Sequence, residues 1–307
     1  MNKKHELKEV VAVIDCGTNS TRLLITDGEQ TFERLTRITR LGEGLTKTNE
    51  FGQEPIARVL ETLSGYRRLI NDHGATRFRV VATSAARDAL NRESFFDAVE
   101  EEIGIRPELL SGVQEGRLAF EGAIQELEPS KGPYLVVDIG GGSTEFIFGT
   151  ETAEMVHSCD IGCVRLTEQW IHNDPPLPEE LHACLSVAES YIDEMVREIP
   201  QVGEASTLVG LSGTVSCIAA LEIGLACYDR EKIHHFNLTR GAIEDVFRTI
   251  ATENNQERLG NPGLTEDRVS VIVAGTAILT KVMRQLNFET CLVSDSDLLD
   301  GLAVSLF

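Results

Sequence analysis

The chain has 307 residues, of which 42% are hydrophobic and 25% are charged, a composition typical of globular proteins at a length that suits two domains. Its formal net charge of −21 is concentrated in the second half and argues against nucleic acid and anionic membranes as partners. The sequence shows no long apolar run, no hydrophobic leader and no Cys-x-x-Cys pair, so we expect a cytoplasmic protein.

Residues 10–26, VVAVIDCGTNSTRLLIT, form the first informative segment, which we name the first hairpin. Its apolar runs on either side of a glycine turn predict a strand, a tight turn and a returning strand. Asp27-Gly28 predicts another reversal, and a third strand is therefore expected near 30–38.

The rest of the first half alternates between helical and strand patterns. The predicted elements are helix 55–72, strand 78–83, helix 93–103, strand 106–110 and helix 113–127. Ser84 is expected to cap a short helix with Arg87 in its first turn, where a cation opposes the helix dipole. A bound anion and a neighbouring carboxylate explain this placement equally well.

A capping box, S-x-x-Q, is formed by Ser111 and Gln114 and places Glu115 in the first turn of helix 113–127. Spacing alone favours a structural explanation, since an acid is favourable at a helix N-terminus. The alternative is a general base at the mouth of a cleft, which would deprotonate an attacking water.

Residues 134–149, YLVVDIGGGSTEFIFG, form the second hairpin, which follows a proline- and glycine-rich boundary at 128–133. Its turn contains three consecutive glycines, Gly140, Gly141 and Gly142. Because no Cβ blocks the approach, their N–H groups can surround one point, which suits a phosphate. Asp138 ends the preceding strand, and a carboxylate beside a phosphate site implies a divalent cation or a positioned water.

The two hairpins align without a gap. The alignment places Asp15 on Asp138, Gly17 on Gly140, Ser20 on Ser143 and Thr21 on Thr144. A single glycine-rich hairpin is explained by structure alone, but an internal repeat favours two similar domains whose hairpins face one cleft. We expect domains over 1–128 and 129–307, with the last helix packing back on the first domain.

The second half is predicted to continue with strands and helices. They are strands 154–160, 207–211 and 290–294, and helices 163–172, 178–199, 240–252, 275–286 and 296–306, with a loop at 254–262. Residues 210–215 form a third glycine turn before a helix, which fits an anion site and a tight crossover equally well. No P-loop or dinucleotide fingerprint occurs, and His234-His235 is interpreted as a loop feature.

A phosphate polyanion would need positive contacts, which we expect mainly from the less acidic first half. The candidates are Arg22, Arg34, Arg37, Arg40, Arg87 and Arg117.

Several segments together resemble the exopolyphosphatase/guanosine pentaphosphate phosphatase (Ppx/GppA) family. They are the two hairpins, ATSAARDALN (82–91), SGVQEGR (111–117) and GLSGT (210–214), in the family's order over nearly the whole chain. Residues 293–304 are similar to the end of the short two-domain exopolyphosphatases of actinobacteria. The resemblance implies an α/β fold of two ribonuclease H-like domains, as in the actin, sugar kinase and heat-shock chaperone superfamily, with a cleft between them.

The family motifs imply roles for individual residues. Glu115 would be the catalytic base and Arg87 would hold the substrate, while Asp15, Asp138 and Glu145 would bind Mg²⁺. The implied phosphate-binding residues are Gly17, Thr18, Asn19, Ser20, Gly140, Gly141, Gly142, Ser143, Thr144, Gly213 and Thr214. Gln114 and Leu299 depart from the pattern, because many relatives carry Glu and Arg at these positions.

The resemblance implies a Mg²⁺-dependent exopolyphosphatase that acts as a homodimer, and the absence of further C-terminal domains favours short polyphosphates. Guanosine pentaphosphate has the same terminal phosphoanhydride, so hydrolysis of its 5′ phosphate remains an alternative. A kinase of the same superfamily would instead consume ATP when an acceptor is added. A non-catalytic polyphosphate or alarmone sensor would bind without turnover.

Overall fold

The structure, a computed structural model, describes residues 9–307 and divides them between two lobes, each built on its own β-sheet. The polar N-terminal residues from which we predict the absence of a leader lie outside the described residues, except for Glu9. Within the described part of the chain, no helix is both long enough and apolar enough to cross a membrane.

The first lobe contains a five-stranded sheet in the order β3-β2-β1-β4-β5. Its strands are β1 (Val11–Cys16), β2 (Ser20–Thr26), β3 (Thr31–Ile38), β4 (Arg77–Ala82) and β5 (Glu108–Leu109). The helices of this half are α1 (Leu45–Thr48), α2 (Gln53–Asp72), α3 (Ser84–Asp88), α4 (Arg92–Ile103) and α5 (Gly112–Ile124).

The second lobe contains a six-stranded sheet in the order β10-β11-β9-β6-β7-β8. Its strands are β6 (Tyr134–Ile139), β7 (Thr144–Gly149), β8 (Ala153–Cys159), β9 (Thr207–Leu211), β10 (Asn237–Thr239) and β11 (Thr290–Val293). The helices are α6 (Cys163–Trp170), α7 (Pro178–Glu198), α8 (Ser212–Ile223), α9 (Arg230–Ile233), α10 (Arg240–Thr252), α11 (Asn255–Arg258), α12 (Ile272–Gln285) and α13 (Leu298–Val304).

The two sheets repeat one arrangement. In each, three antiparallel strands are followed by strands parallel to the first, and β10 adds an antiparallel edge in the second lobe. The predicted two-lobed, ribonuclease H-like α/β fold is therefore confirmed. The repeat extends to the register, because Asp15 lies opposite Arg22 as Asp138 lies opposite Glu145.

Each lobe has its own hydrophobic core, and a third core joins them. Helices α5 and α13 pack against each other in this third core, while α5 also packs on β7 and β8 and α13 on β1 and β2. Glycines permit the close crossing, since a Cβ at Gly122 would collide with the Asp297 carbonyl and one at Gly301 with the Leu118 carbonyl. The last helix thus packs on the first sheet, as the sequence predicts, and α5 presents Glu115 between the lobes.

Several local predictions differ from the structure. Helix α3 begins at Ser84 without a side-chain cap, and Arg87 lies in its last turn, where a cation is favourable. The predicted conflict between Arg87 and the helix dipole is therefore wrong, and it gives no reason to expect a bound anion. The predicted loop at 254–262 contains helix α11, which Asn254 caps, and α12 begins three residues before its predicted start because Ile272 and Val273 are also buried.

Candidate active site

A cavity of about 640 Å³ lies between the lobes, and we name it the cleft. Both hairpin turns and the third glycine turn line it, together with residues at the C-terminal ends of the two sheets. The sequence-predicted residues on its wall are Asp15, Gly17, Thr18, Asn19, Ser20, Glu115, Asp138, Gly140, Gly141, Gly142, Ser143, Gly213 and Thr214. The fold therefore gathers residues from four distant segments into one site.

The turns of the two hairpins present unused backbone donors. Gly17 and Gly140 each donate across their own turn, to the carbonyls of Ser20 and Ser143 respectively. Within residues 9–307, the next N–H groups donate to no backbone or side-chain acceptor; they belong to Thr18, Asn19, Gly141 and Gly142. Such turns, with N–H groups left free on both walls, suit the oxygens of a phosphate.

The hairpins touch at one end of the cleft. A Cβ at Gly142 would lie 2.6 Å from Ser84 Oγ and 2.9 Å from Thr18 Oγ1, and one at Gly141 would lie 3.0 Å from Thr18 Cβ. Glycine at these two positions is required for this approach. The contact bounds the cleft at this end and separates it from a neighbouring cavity.

A buried ion network holds the first hairpin. Arg22 donates to Asp15 Oδ2 from Nε at 3.0 Å and from Nη2 at 2.7 Å, and its Nη1 donates to Asp297. Burial alone would raise the pKa of Asp297, but the Arg22 and Arg34 guanidiniums hold that pKa below its ordinary value. Arg34 also pairs with Asp300, so the start of α13 is tied to the first sheet.

Asp138 of the second hairpin has no such partner. Its carboxylate makes no hydrogen bond or ion pair within the described residues, and only 7% of the residue's surface is exposed. Burial and the nearby Asp297 raise the pKa of Asp138 to about 7, against the lowering effect of Arg22. Burial also raises the pKa of Asp15, whose Oδ1 is buried without a hydrogen-bond partner.

Glu115 and Arg87 form a close pair beside these aspartates. Arg87 Nη1 donates to Glu115 Oε2 at 2.7 Å and to the Leu110 carbonyl at 3.0 Å, while Nη2 donates to Ser143 Oγ at 3.2 Å. Burial raises the pKa of Glu115, and the Arg87 charge opposes that rise. A carboxylate with a raised pKa, fixed by an arginine at the cleft wall, has the position and basicity required of a general base.

Two predicted residues, Glu145 and Thr144, lie behind the cleft wall instead of on it. Glu145 is 1% exposed, accepts a hydrogen bond from Ser158 Oγ at 2.8 Å and lies 3.9 Å from Arg87 Nη2. Burial and the nearby Glu115 raise its pKa well above the usual range, which favours the neutral acid. Thr144 is fully buried and donates its hydroxyl to the Ile161 carbonyl. Metal binding by Glu145 and phosphate binding by the Thr144 hydroxyl stay predictions, and the two aspartates are better placed for a metal.

The cationic wall differs from the prediction. Arg22 and Arg34 line the cleft, whereas Arg37, Arg40 and Arg117 do not, and Arg87 is turned towards Glu115. The second lobe contributes Arg230, paired with Asp295, and Arg268. No sequence motif marks these two arginines in the acidic half.

Arg268 lies over the N-terminus of α8. A Cβ at Gly213 would collide with the Arg268 guanidinium in its present position, so glycine lets the guanidinium pack on this turn. Within residues 9–307, Arg268 has no carboxylate within ion-pair distance and its side chain makes no hydrogen bond. A guanidinium and a helix N-terminus together make an anion-binding surface on the far wall of the cleft.

The acidic wall of the cleft is relevant to the predicted binding of Mg²⁺. More carboxylates than arginines line it: Asp15, Glu115, Asp138, Asp267, Asp295 and Asp297 against Arg22, Arg34, Arg230 and Arg268. No group of three His, Cys, Asp or Glu side chains among residues 9–307 is arranged to hold a metal by itself. Mg²⁺ commonly takes only one or two carboxylates, with waters and substrate phosphates. The unpartnered oxygen of Asp15 and the unpaired Asp138 fit that mode of binding.

Comparison with known proteins shows the family of the chain. The family model described as the Ppx/GppA phosphatase family matches residues 10–307. Exopolyphosphatase 2 of Mycobacterium tuberculosis is 37% identical, over 96% of this chain and 98% of that protein. The guanosine-5′-triphosphate,3′-diphosphate pyrophosphatase of Photobacterium profundum is 30% identical, over 98% of this chain and 60% of that protein. The crystal structure of an exopolyphosphatase-like protein matches with a TM-score of 0.94 and 33% identity, over 97% and 98% of the two chains.

Proposed function

The chain belongs to the Ppx/GppA phosphatase family, and from this premise we propose that it hydrolyses terminal orthophosphate from inorganic polyphosphate. One observation carries the proposal. The cleft is bounded where the two hairpins meet and carries Glu115 and unused N–H groups beside this end. A linear polyanion inserted from the open side would present its terminal phosphoryl group there.

The residues of the chain supply positioning and a base. The N–H groups of the hairpin turns bind the terminal phosphoryl oxygens, and Arg268 binds a phosphate farther along the chain. Glu115 accepts a proton from a water, whose oxygen forms a bond to the terminal phosphorus. The bond from that phosphorus to the bridging oxygen breaks, and the shortened polyphosphate leaves with the bond's electron pair.

Asp15 and Asp138 would hold Mg²⁺. When bound, Mg²⁺ offsets the charge that accumulates on the phosphoryl oxygens. The excess of carboxylates on the wall supports this proposal, because without a cation they would repel the substrate. A cytoplasmic location and a homodimer, both drawn from the sequence, stay proposals.

A second candidate is hydrolysis of guanosine pentaphosphate, which one feature of the cleft favours. Apolar residues line part of the cleft beyond Arg268: Cys217, Ala220, Ala226 and Leu264. Polyphosphate has no apolar part that would use this surface, whereas a nucleobase does. Phosphate release should be compared across polyphosphate lengths, guanosine pentaphosphate and ATP, each with and without Mg²⁺. Faster release from guanosine pentaphosphate would replace the first proposal by the second.

The test of the mechanism is Glu115→Gln. We expect phosphate release to fall by about 10²–10⁴-fold, the usual contribution of a general base, with an unchanged fold. The matched control is Glu121→Gln, at an exposed position of the same helix, which should keep wild-type activity. Near-full activity of Glu115→Gln would contradict the role of this residue.

A further inference from the structure

A second cavity of about 220 Å³ lies next to the end of the cleft where the hairpins meet. Three residues line both cavities: Thr18, Ser84 and Gly142. Thr18 and Gly142 bring the hairpins into contact, and Ser84 of α3 adjoins Gly142, so the partition between the cavities is a single layer of side chains and one glycine. Its hydroxyl groups are good hydrogen-bond partners for a phosphate.

Contacts between the lobes line the second cavity. Arg165 of α6 donates from Nε to the Gly142 carbonyl at 2.8 Å and pairs with Asp88 of α3. On another side, Glu168 accepts hydrogen bonds from Gly44 N at 3.0 Å and from Thr46 Oγ1 at 2.5 Å. A small separation of the lobes would loosen these contacts and widen the cavity.

One short helix connects the Arg87–Glu115 pair with these contacts between the lobes. Helix α3 carries Ser84 in the partition, Arg87 against Glu115, and Asp88 against Arg165. A change at the Arg87–Glu115 pair therefore reaches the partition and the Arg165–Asp88 pair through five residues of helix.

We propose that the second cavity is the exit route of orthophosphate and that the Arg165–Asp88 ion pair narrows it. This inference rests on the proposed function. After hydrolysis, the shortened polyphosphate still occupies the open side of the cleft, beside Arg268. Orthophosphate then lies between this polyanion and the partition, and mutual repulsion drives it past Thr18 and Ser84 towards the Arg165 guanidinium.

The test blocks the outer part of the second cavity. Gln169 is exposed and lines this cavity, and its side chain has no hydrogen bond within the described residues. Gln169→Trp would fill the outlet without removing a contact. The matched control is Gln53→Trp, an exposed glutamine that lines neither cavity. Total phosphate is followed by acid quench and free phosphate by a fluorescent phosphate sensor, with polyphosphate as the substrate.

We expect Gln169→Trp to keep the wild-type rate of bond cleavage and to lengthen the delay before free phosphate appears, on the order of tenfold. Asp88→Asn, which breaks the ion pair, should shorten the delay. Unchanged delays in both variants, or an equal lengthening in Gln53→Trp, would overturn the exit route. If the wild-type protein cleaves no polyphosphate at all, the proposed function fails instead.

Discussion

The two hairpins share a backbone arrangement, but one of their equivalent cross-strand pairs differs in charge. In the first, Asp15 lies opposite Arg22; in the second, the equivalent positions hold Asp138 and Glu145. The first aspartate is therefore bound by a permanent cation of the protein, whereas the second has an acid beside it and a pKa raised to about 7. The repeat preserves the shape of the turn in both lobes, but only the first hairpin supplies a cation of its own to its aspartate.

The largest effect should come from removing the cation of the first hairpin. Arg22→Met leaves Asp15 and Asp297 buried without their shared partner, and loss of one member of a buried ion pair costs about 3–5 kcal/mol. Urea unfolding measures this loss. At the equivalent position, Glu145→Gln replaces a neutral acid by an amide that still accepts from Ser158, so its cost should stay within about 1 kcal/mol. Equal losses in the two variants would contradict the difference between the hairpins.

The pH dependence of stability should reveal the unpaired acid of the second hairpin. The pKa of Asp138 is raised from 3.8 to about 7, so between these values the folded chain binds more protons than the unfolded chain. Its contribution is fully present below pH 4 and is lost as the pH rises to 7, by roughly 4 kcal/mol at most.

Urea titrations at pH 5 and pH 8 without Mg²⁺ measure this contribution. Asp138→Asn should reduce the difference in unfolding free energy between the two pH values. Asp72→Asn, at an exposed position of α2, should leave it unchanged. An identical difference in wild type and Asp138→Asn would show that Asp138 is not the titrating group.

The smallest effect concerns the external cation. If Mg²⁺ binds at Asp138, a concentration a hundredfold above its Kd should stabilise the folded protein by about 2.7 kcal/mol. Thermal unfolding with and without Mg²⁺ measures this stabilisation, which Asp138→Asn should abolish and Glu145→Gln should retain. If Glu145→Gln abolished the Mg²⁺ effect instead, Glu145 would be the metal ligand.

The fold and the hairpin side of the cleft wall are predictable from the sequence because they depend on local patterns. Apolar runs and glycine turns determine the hairpins, and their internal repeat predicts the second lobe from the first. The capping box of Ser111 and Gln114 likewise predicts the start of α5 and the position of Glu115 on it.

Only the tertiary structure decided which groups are charged, paired or hidden. Arg22 meets Asp297 across 275 residues of sequence, and Arg268 meets Gly213 only because α8 and the following loop pack together. No local pattern distinguishes Glu145, behind the wall, from Asp138, on it. Burial and long-range charge depend on how the two lobes close on each other, and that information is distributed over the whole chain.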